Sequence, residues 1–90
     1  MAKVKSILIQ IMFGISNNNI RFQDVCTLLK YLGFTERVNG SHHIFTFPGV
    51  IEIINIQPLN SGNAKPYQIK QIRKLLTNYK LYGDLLKDEV

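Results

Sequence analysis

The sequence predicts an α+β fold in which a small three-stranded antiparallel sheet packs on helices. Three observations carry this. Apolar residues recur at helical spacing near both ends of the chain. Between them, Asn39-Gly40 and Pro48-Gly49 punctuate a stretch that reads as successive strands. At 90 residues, with 46% hydrophobic side chains that include five Phe and four Tyr, the chain makes one small domain with material for a core.

The elements follow in order. Val4, Ile7, Leu8, Ile11 and Ile15 share one helical face, which predicts a helix over 3–15. Ser16 to Asn19 is a polar break. A second helix covers 22–32, with Asp24 in the first turn, where a negative charge suits the helix dipole, and a stripe of Val25, Leu28, Leu29 and Leu32. Gly33 supplies a left-handed C-terminal cap and Phe34 packs back. Strands are expected over 34–38, 41–47 and 50–57, joined by the Asn39-Gly40 and Pro48-Gly49 turns. Pro58 ends the third strand and Asn60 to Asn63 form a loop. Pro66 opens the last helix, over 66–80, where a missing N–H costs nothing. Ile69, Ile72, Leu75, Leu76 and Tyr79 make its buried stripe, leaving Lys70, Arg73 and Lys74 together on another face. Residues 84–90 read as a frayed tail.

Such a sheet is apolar at both parities of its third strand, more than two helices on one face cover. The N-terminal helix, a second copy in a homo-oligomer, or a different protein must cover the rest. Within the second strand, His43, Phe45 and Phe47 alternate with His42, Ile44 and Thr46. If the phenylalanines mark the core face, His42 points away from it and His43 into it.

Cys26 is the one cysteine, which excludes an internal disulfide framework and suits a cytoplasmic location. It lies at an apolar-periodic helical position, the place of a buried thiol rather than a nucleophile. The apolar run from Ile7 to Phe13 is interrupted by Gln10 and followed by asparagines, so neither an export signal nor a membrane span is expected. Net charge is +5, and no acidic residue stands between Glu52 and Asp84, where Lys65, Lys70, Arg73, Lys74 and Lys80 fall. That local positive field suits a phosphate-rich partner; a solvated helix face is the plainer alternative.

Both histidines sit side by side in Asn39-Gly40-Ser41-His42-His43-Ile44-Phe45. Histidine takes and gives protons near neutrality, and the turn holds Ser41 and His42 at the mouth of the sheet. Two adjacent strand histidines point to opposite faces and do not make a metal site, so no metal or cofactor is expected. No phosphate-binding Gly-Lys-Ser/Thr loop, nucleophile elbow or paired-carboxylate arrangement is present.

Gly40-Ser41-His42-His43, placed after the Leu32-Gly33-Phe34 helix end, resembles the signature of the HicA-type mRNA interferase toxins. The resemblance runs through Ile20 to Cys26, Glu52 to Pro58 and Lys65 to Ile69, in order, and covers roughly residues 3–81. It implies a double-stranded-RNA-binding-domain-like fold with an extra N-terminal helix, ribonuclease activity on messenger RNA, and a HicB-type antitoxin as partner. The family's catalytic histidine, the one directly after Gly-Ser, carries over to His42. Shorter members lack the first helix and have a briefer connection before the last one.

RNA carries its own nucleophile, the 2′-hydroxyl, so a base for that proton and cations for the phosphate suffice without metal. His42 is the candidate general acid/base. Lys65, Lys70, Arg73 and Lys74 are candidates for holding phosphates. Gly40 allows close approach of backbone to a phosphate, and Ser41 orients it. Tyr67 offers a stacking surface for a splayed base, though packing explains it equally. The alternative to an endoribonuclease is a non-catalytic RNA-binding or scaffold module of the same fold.

Overall fold

The computed structural model describes residues 2–14 and 19–82. The elements are α1 (Ala2–Phe13), α2 (Phe22–Tyr31), β1 (Thr35–Asn39), β2 (His42–Thr46), β3 (Ile54–Ile56) and α3 (Pro66–Tyr79). The expected continuation of α1 to Ile15, the break over 16–18 and the tail over 84–90 lie outside the described residues.

Helix α1 buries Val4, Ile7, Leu8 and Ile11 against α2 and α3. Each large aliphatic side chain removed from water in this way contributes about 1.5–3 kcal/mol. Helix α2 ends as its sequence requires. Gly33 takes φ 111°, its N–H reaches the Lys30 carbonyl at 3.1 Å, and the Phe34 N–H reaches that of Leu29 at 3.0 Å. These two bonds satisfy carbonyls the helix leaves orphaned and turn the chain sharply toward β1. A Cβ at Gly33 would also press on the Phe47 ring at 3.2 Å, a tight contact added to the left-handed backbone that favours glycine.

The sheet order is β1-β2-β3, antiparallel throughout. Asn39 pairs with His42, so Gly40 and Ser41 are the two central residues of the hairpin turn, one position later than Asn39-Gly40. Gly40 has φ 63° while Ser41 stays in the ordinary region, the pattern of a type II′ turn, which matches strand twist. Register places Glu36, Phe45 and Ile54 in one row and Val38, His43 and Ile56 in the next, both on the core face. Arg37, Ile44 and Asn55, with Asn39 and His42, line the other.

Strand β3 is shorter than the 50–57 that its isoleucines suggest. Strand β2 ends at Thr46; the Phe47 ring turns onto Phe34, centroids 5.0 Å apart, and Pro48 has no N–H. The Val50 N–H closes the turn on the Phe47 carbonyl at 3.0 Å, and residues 51–53 have no strand beside them. Ile51 and Ile53 are therefore 90% and 62% exposed, outside the sheet. Within the sheet only Ile44 is apolar on the outer face, where Thr35, Arg37, Asn39, His42, Thr46 and Asn55 are all exposed. Helices cover one face, and among the described residues nothing covers the other.

The segment from Pro58 to Lys65 is tied back to the start of α2. The Ala64 N–H donates to the Ile20 carbonyl at 2.7 Å and the Phe22 N–H to that of Gly62 at 3.1 Å. Pro66 then starts α3 at its first position, with Lys65 as N-cap. From α2 to α3 the order helix, three strands, helix is that of a double-stranded-RNA-binding domain, and α1 is the addition. No described helix is long and apolar enough to cross a membrane.

Candidate active site

Adjacent histidines on one strand take opposite faces, and the structure gives them different partners. On the core face, His43 donates from Nδ1 to Glu36 Oε2 at 2.7 Å and meets the Phe22 ring edge-on at 4.8 Å. Glu36 also reaches Lys30 at 3.3 Å. The hydrogen bond from His43, then the Lys30 ammonium, hold the Glu36 carboxyl below its ordinary range. Cys26 lies against this pair, and burial, reinforced by the Glu36 charge, pushes its thiol up to about 12. It is the inert buried thiol that its position in the α2 stripe implies.

Cys26, Glu36 and His43 offer ligand-type atoms within 4.8 Å of one another. The Nδ1 to Oε2 separation of 2.7 Å is a hydrogen bond, shorter than the spacing of two tetrahedral ligands on one ion, and Lys30 adds a cation. The trio is built as a hydrogen-bonded imidazole and carboxylate over a buried thiol.

On the open face, His42 sits in a polar network drawn from three places in the chain. Its Nδ1 lies 3.0 Å from Asn55 Oδ1 on β3. Its Nε2 lies 3.3 Å from Gln57 Nε2, just past β3. The same Gln57 nitrogen donates to Ser41 Oγ at 2.9 Å, and Lys65 Nζ donates to Gln57 Oε1 at 3.3 Å. The Gln57 main-chain N–H points at Gln68 Oε1, 3.4 Å away, which locks the strand end to the first turn of α3. Gln68 is buried and its own amide donates to the Tyr67 hydroxyl at 3.4 Å.

The expected site residues thus divide. Gly40 and Ser41 form the turn beside His42, and Lys65 joins them through Gln57. Gly40 is exposed, and a Cβ there would meet nothing within 4 Å beyond its chain neighbours. Tyr67 is exposed in the first turn of α3. Lys70 and Lys74 stand elsewhere on α3, both exposed. Lys74 lines a groove of about 330 Å³ with Glu52, Ile53, Ile54, Gln71, Leu75 and Asn78, which shares no residue with the His42 network. At the far end of α3 the Tyr79 hydroxyl donates to Glu52 at 2.5 Å and holds that carboxyl below its ordinary range. Arg73, half-buried, turns its Nε toward α1, unlike the exposed Lys70 and Lys74. Its Nε donates to the Ile11 carbonyl at 2.6 Å, because the last turn of α1 presents carbonyls without helical partners.

Asn55, Gln57 and Gln68 were not expected in the site. For Asn55 and Gln57 the signal is the alternation Ile54-Asn55-Ile56-Gln57, in which two amides occupy the parity opposite two buried isoleucines.

A network of neutral amides, one hydroxyl, one imidazole and one ammonium has no carboxylate to hold a divalent cation. It can exchange a proton at His42 and present positive charge from Lys65, supplemented by the N-terminal end of α3. A family model described as the HicA toxin of bacterial toxin-antitoxin matches residues 22–77. Comparison with curated proteins and with solved structures returned no match.

Proposed function

This chain belongs to the HicA toxin family, the toxin of a bacterial toxin–antitoxin pair, and from that premise we propose that it is a metal-independent endoribonuclease acting on messenger RNA in the cytoplasm. The observation that carries the proposal is the exposed His42 imidazole, held by Asn55 and Gln57 beside Ser41 and Lys65. His42 removes the proton of a 2′-hydroxyl, the 2′-oxygen attacks the adjacent phosphorus, and the bond to the 5′-oxygen breaks. The departing oxygen takes up a proton, leaving a 2′,3′-cyclic phosphate and a 5′-hydroxyl. General acid–base catalysis of this kind typically supplies 10²–10⁴-fold in rate. Lys65, with the Gly40 and Ser41 turn, holds the scissile phosphate, while Lys70 and Lys74 hold phosphates further along the strand.

The partner is a HicB-type antitoxin that covers the open sheet face and so blocks RNA. The test is cleavage of a defined RNA by purified protein, parent against His42→Ala. A 2′-deoxy substitution at the cut site should abolish cutting by the parent. Parent protein that binds RNA without cutting it would instead make the chain a non-catalytic RNA-binding module.

A further inference from the structure

The geometry points to Gln57 and Asn55 as positioning residues that, driven by Lys65, fix His42 as the Nδ1-protonated tautomer with its Nε2 lone pair turned to the Gln57 amide. The chemical role of that lone pair rests on the proposed ribonuclease reading; the tautomer does not.

Each step follows from what the side chains can donate or accept. A lysine ammonium has three donors and no acceptor. The Gln57 amide atom 3.3 Å from Lys65 Nζ is therefore its oxygen, and the amide orientation is set. Its other end, an NH₂ group, then faces Ser41 Oγ at 2.9 Å and His42 Nε2 at 3.3 Å. An amide nitrogen accepts nothing, so both neighbours must accept, one hydrogen each. His42 Nε2 accordingly carries the lone pair, and in a neutral imidazole the proton resides on Nδ1. Nδ1 lies 3.0 Å from the Asn55 side chain, which must turn its carbonyl oxygen toward that proton. The chain of donors runs one way, from Lys65 through Gln57 to His42 and on to Asn55.

The consequence is a base presented by its reactive nitrogen. Gln57 divides its two hydrogens, and its 3.3 Å contact with His42 is the longer of the pair. An incoming hydroxyl can displace that contact while Ser41 keeps the amide in place. Once Nε2 is protonated it is a donor, as the Gln57 amide is, so their contact cannot re-form until the proton is passed on.

Nitrogen-15 NMR of the His42 ring in the purified, uncleaving protein without RNA reads the tautomer directly. The parent should show Nδ1 protonated and Nε2 bare at a pH where the ring is neutral. Gln57→Glu keeps the shape and reverses the polarity, since a carboxylate accepts from both Lys65 and His42. In that variant Nε2 should carry the proton, and kcat for RNA should fall by roughly 10²-fold or more, the scale of losing a general base. Asn55→Ala should keep the Nδ1-protonated tautomer, since Gln57 still donates to Nε2, but loosen the ring and lower kcat with little change in KM. Asn55→Asp, placing a carboxylate on Nδ1, should move the acid limb of the pH–rate profile to higher pH. A parent with Nε2 protonated, or a tautomer that Gln57→Glu leaves unchanged, overturns the inference. Unaltered cleavage by His42→Ala, with the tautomers behaving as stated, would overturn the ribonuclease assignment of His42 alone.

Discussion

Arg73 donates from Nε to the main-chain carbonyl of Ile11 at 2.6 Å, joining the middle of α3 to the last turn of α1. The bond places a cation at the negative end of the α1 dipole, on a carbonyl of its last turn. The added helix thus engages a basic residue that the α3 sequence places between Lys70 and Lys74. Arg73→Ala should destabilise the protein by about 1–3 kcal/mol, the cost of losing a charge-assisted bond and stranding its acceptor. Urea denaturation measures this. RNA affinity should change less than in Lys65→Ala, and the slope of log affinity against log salt should stay near the parent's.

The two histidines should separate in their effects. His42→Ala removes an exposed side chain and should leave the melting temperature close to the parent's while cleavage falls by about 10²–10⁴-fold. His43→Ala removes the partner of Glu36 and the edge contact on Phe22, and should cost about 1–3 kcal/mol. Thermal melts and single-turnover cleavage of one RNA, run on both variants, compare them directly. Equal loss of stability in the two would contradict the division of the faces.

Acid should weaken the fold through Glu36. Its carboxyl titrates below the ordinary value in the folded protein, so the folded state binds that proton less readily than the unfolded chain does. The contribution is complete above the unfolded Glu value and is lost as pH falls through the lower, folded one. Glu36→Gln should therefore be less stable than the parent near neutrality, with the difference shrinking as the solution is acidified below the unfolded Glu value. Chemical denaturation at a series of pH values shows whether the two curves converge.

Cleavage should persist in excess EDTA. The groups around His42 are Ser41, Asn55, Gln57 and Lys65, a neutral-to-positive set that repels a divalent cation rather than holding one. Activity lost to the chelator and restored by magnesium would point to a different nuclease in the preparation.

Much of this architecture is written locally. The α1 stripe from Val4 to Ile11, the α2 stripe, the Gly33 cap and the Pro66 helix start depend on neighbours within a turn or two, and they lie where periodicity and capping chemistry place them. The split of His42 from His43 is equally local, being the pleat of a strand. Strand β3 was less legible, since Val50 to Ile54 is an apolar run apart from Glu52. Whether such a run pairs depends on what β2 does at Phe47 and Pro48. Arg73 was not legible at all: its partner is a main-chain carbonyl on another helix, and no periodicity records that. Asn55 and Gln57 stood in plain alternation with the isoleucines, but amides lack the charge or acidity that singles out a histidine.

One consequence of the β1–β2 pairing concerns how this gene can change length. Core and surface chemistry are read from β2 in two interleaved frames, His43 and Phe45 in one, His42 and Ile44 in the other. Adding or deleting one codon in the strand would exchange the frames, exposing Phe45 and driving His42 beneath the sheet. Folding and the exposed imidazole would be lost in the same event. Residues 49–53 belong to no strand pair, so insertions there shift no register. Viable length variation should therefore collect after Pro48 and avoid the Gly40-Ser41 hairpin.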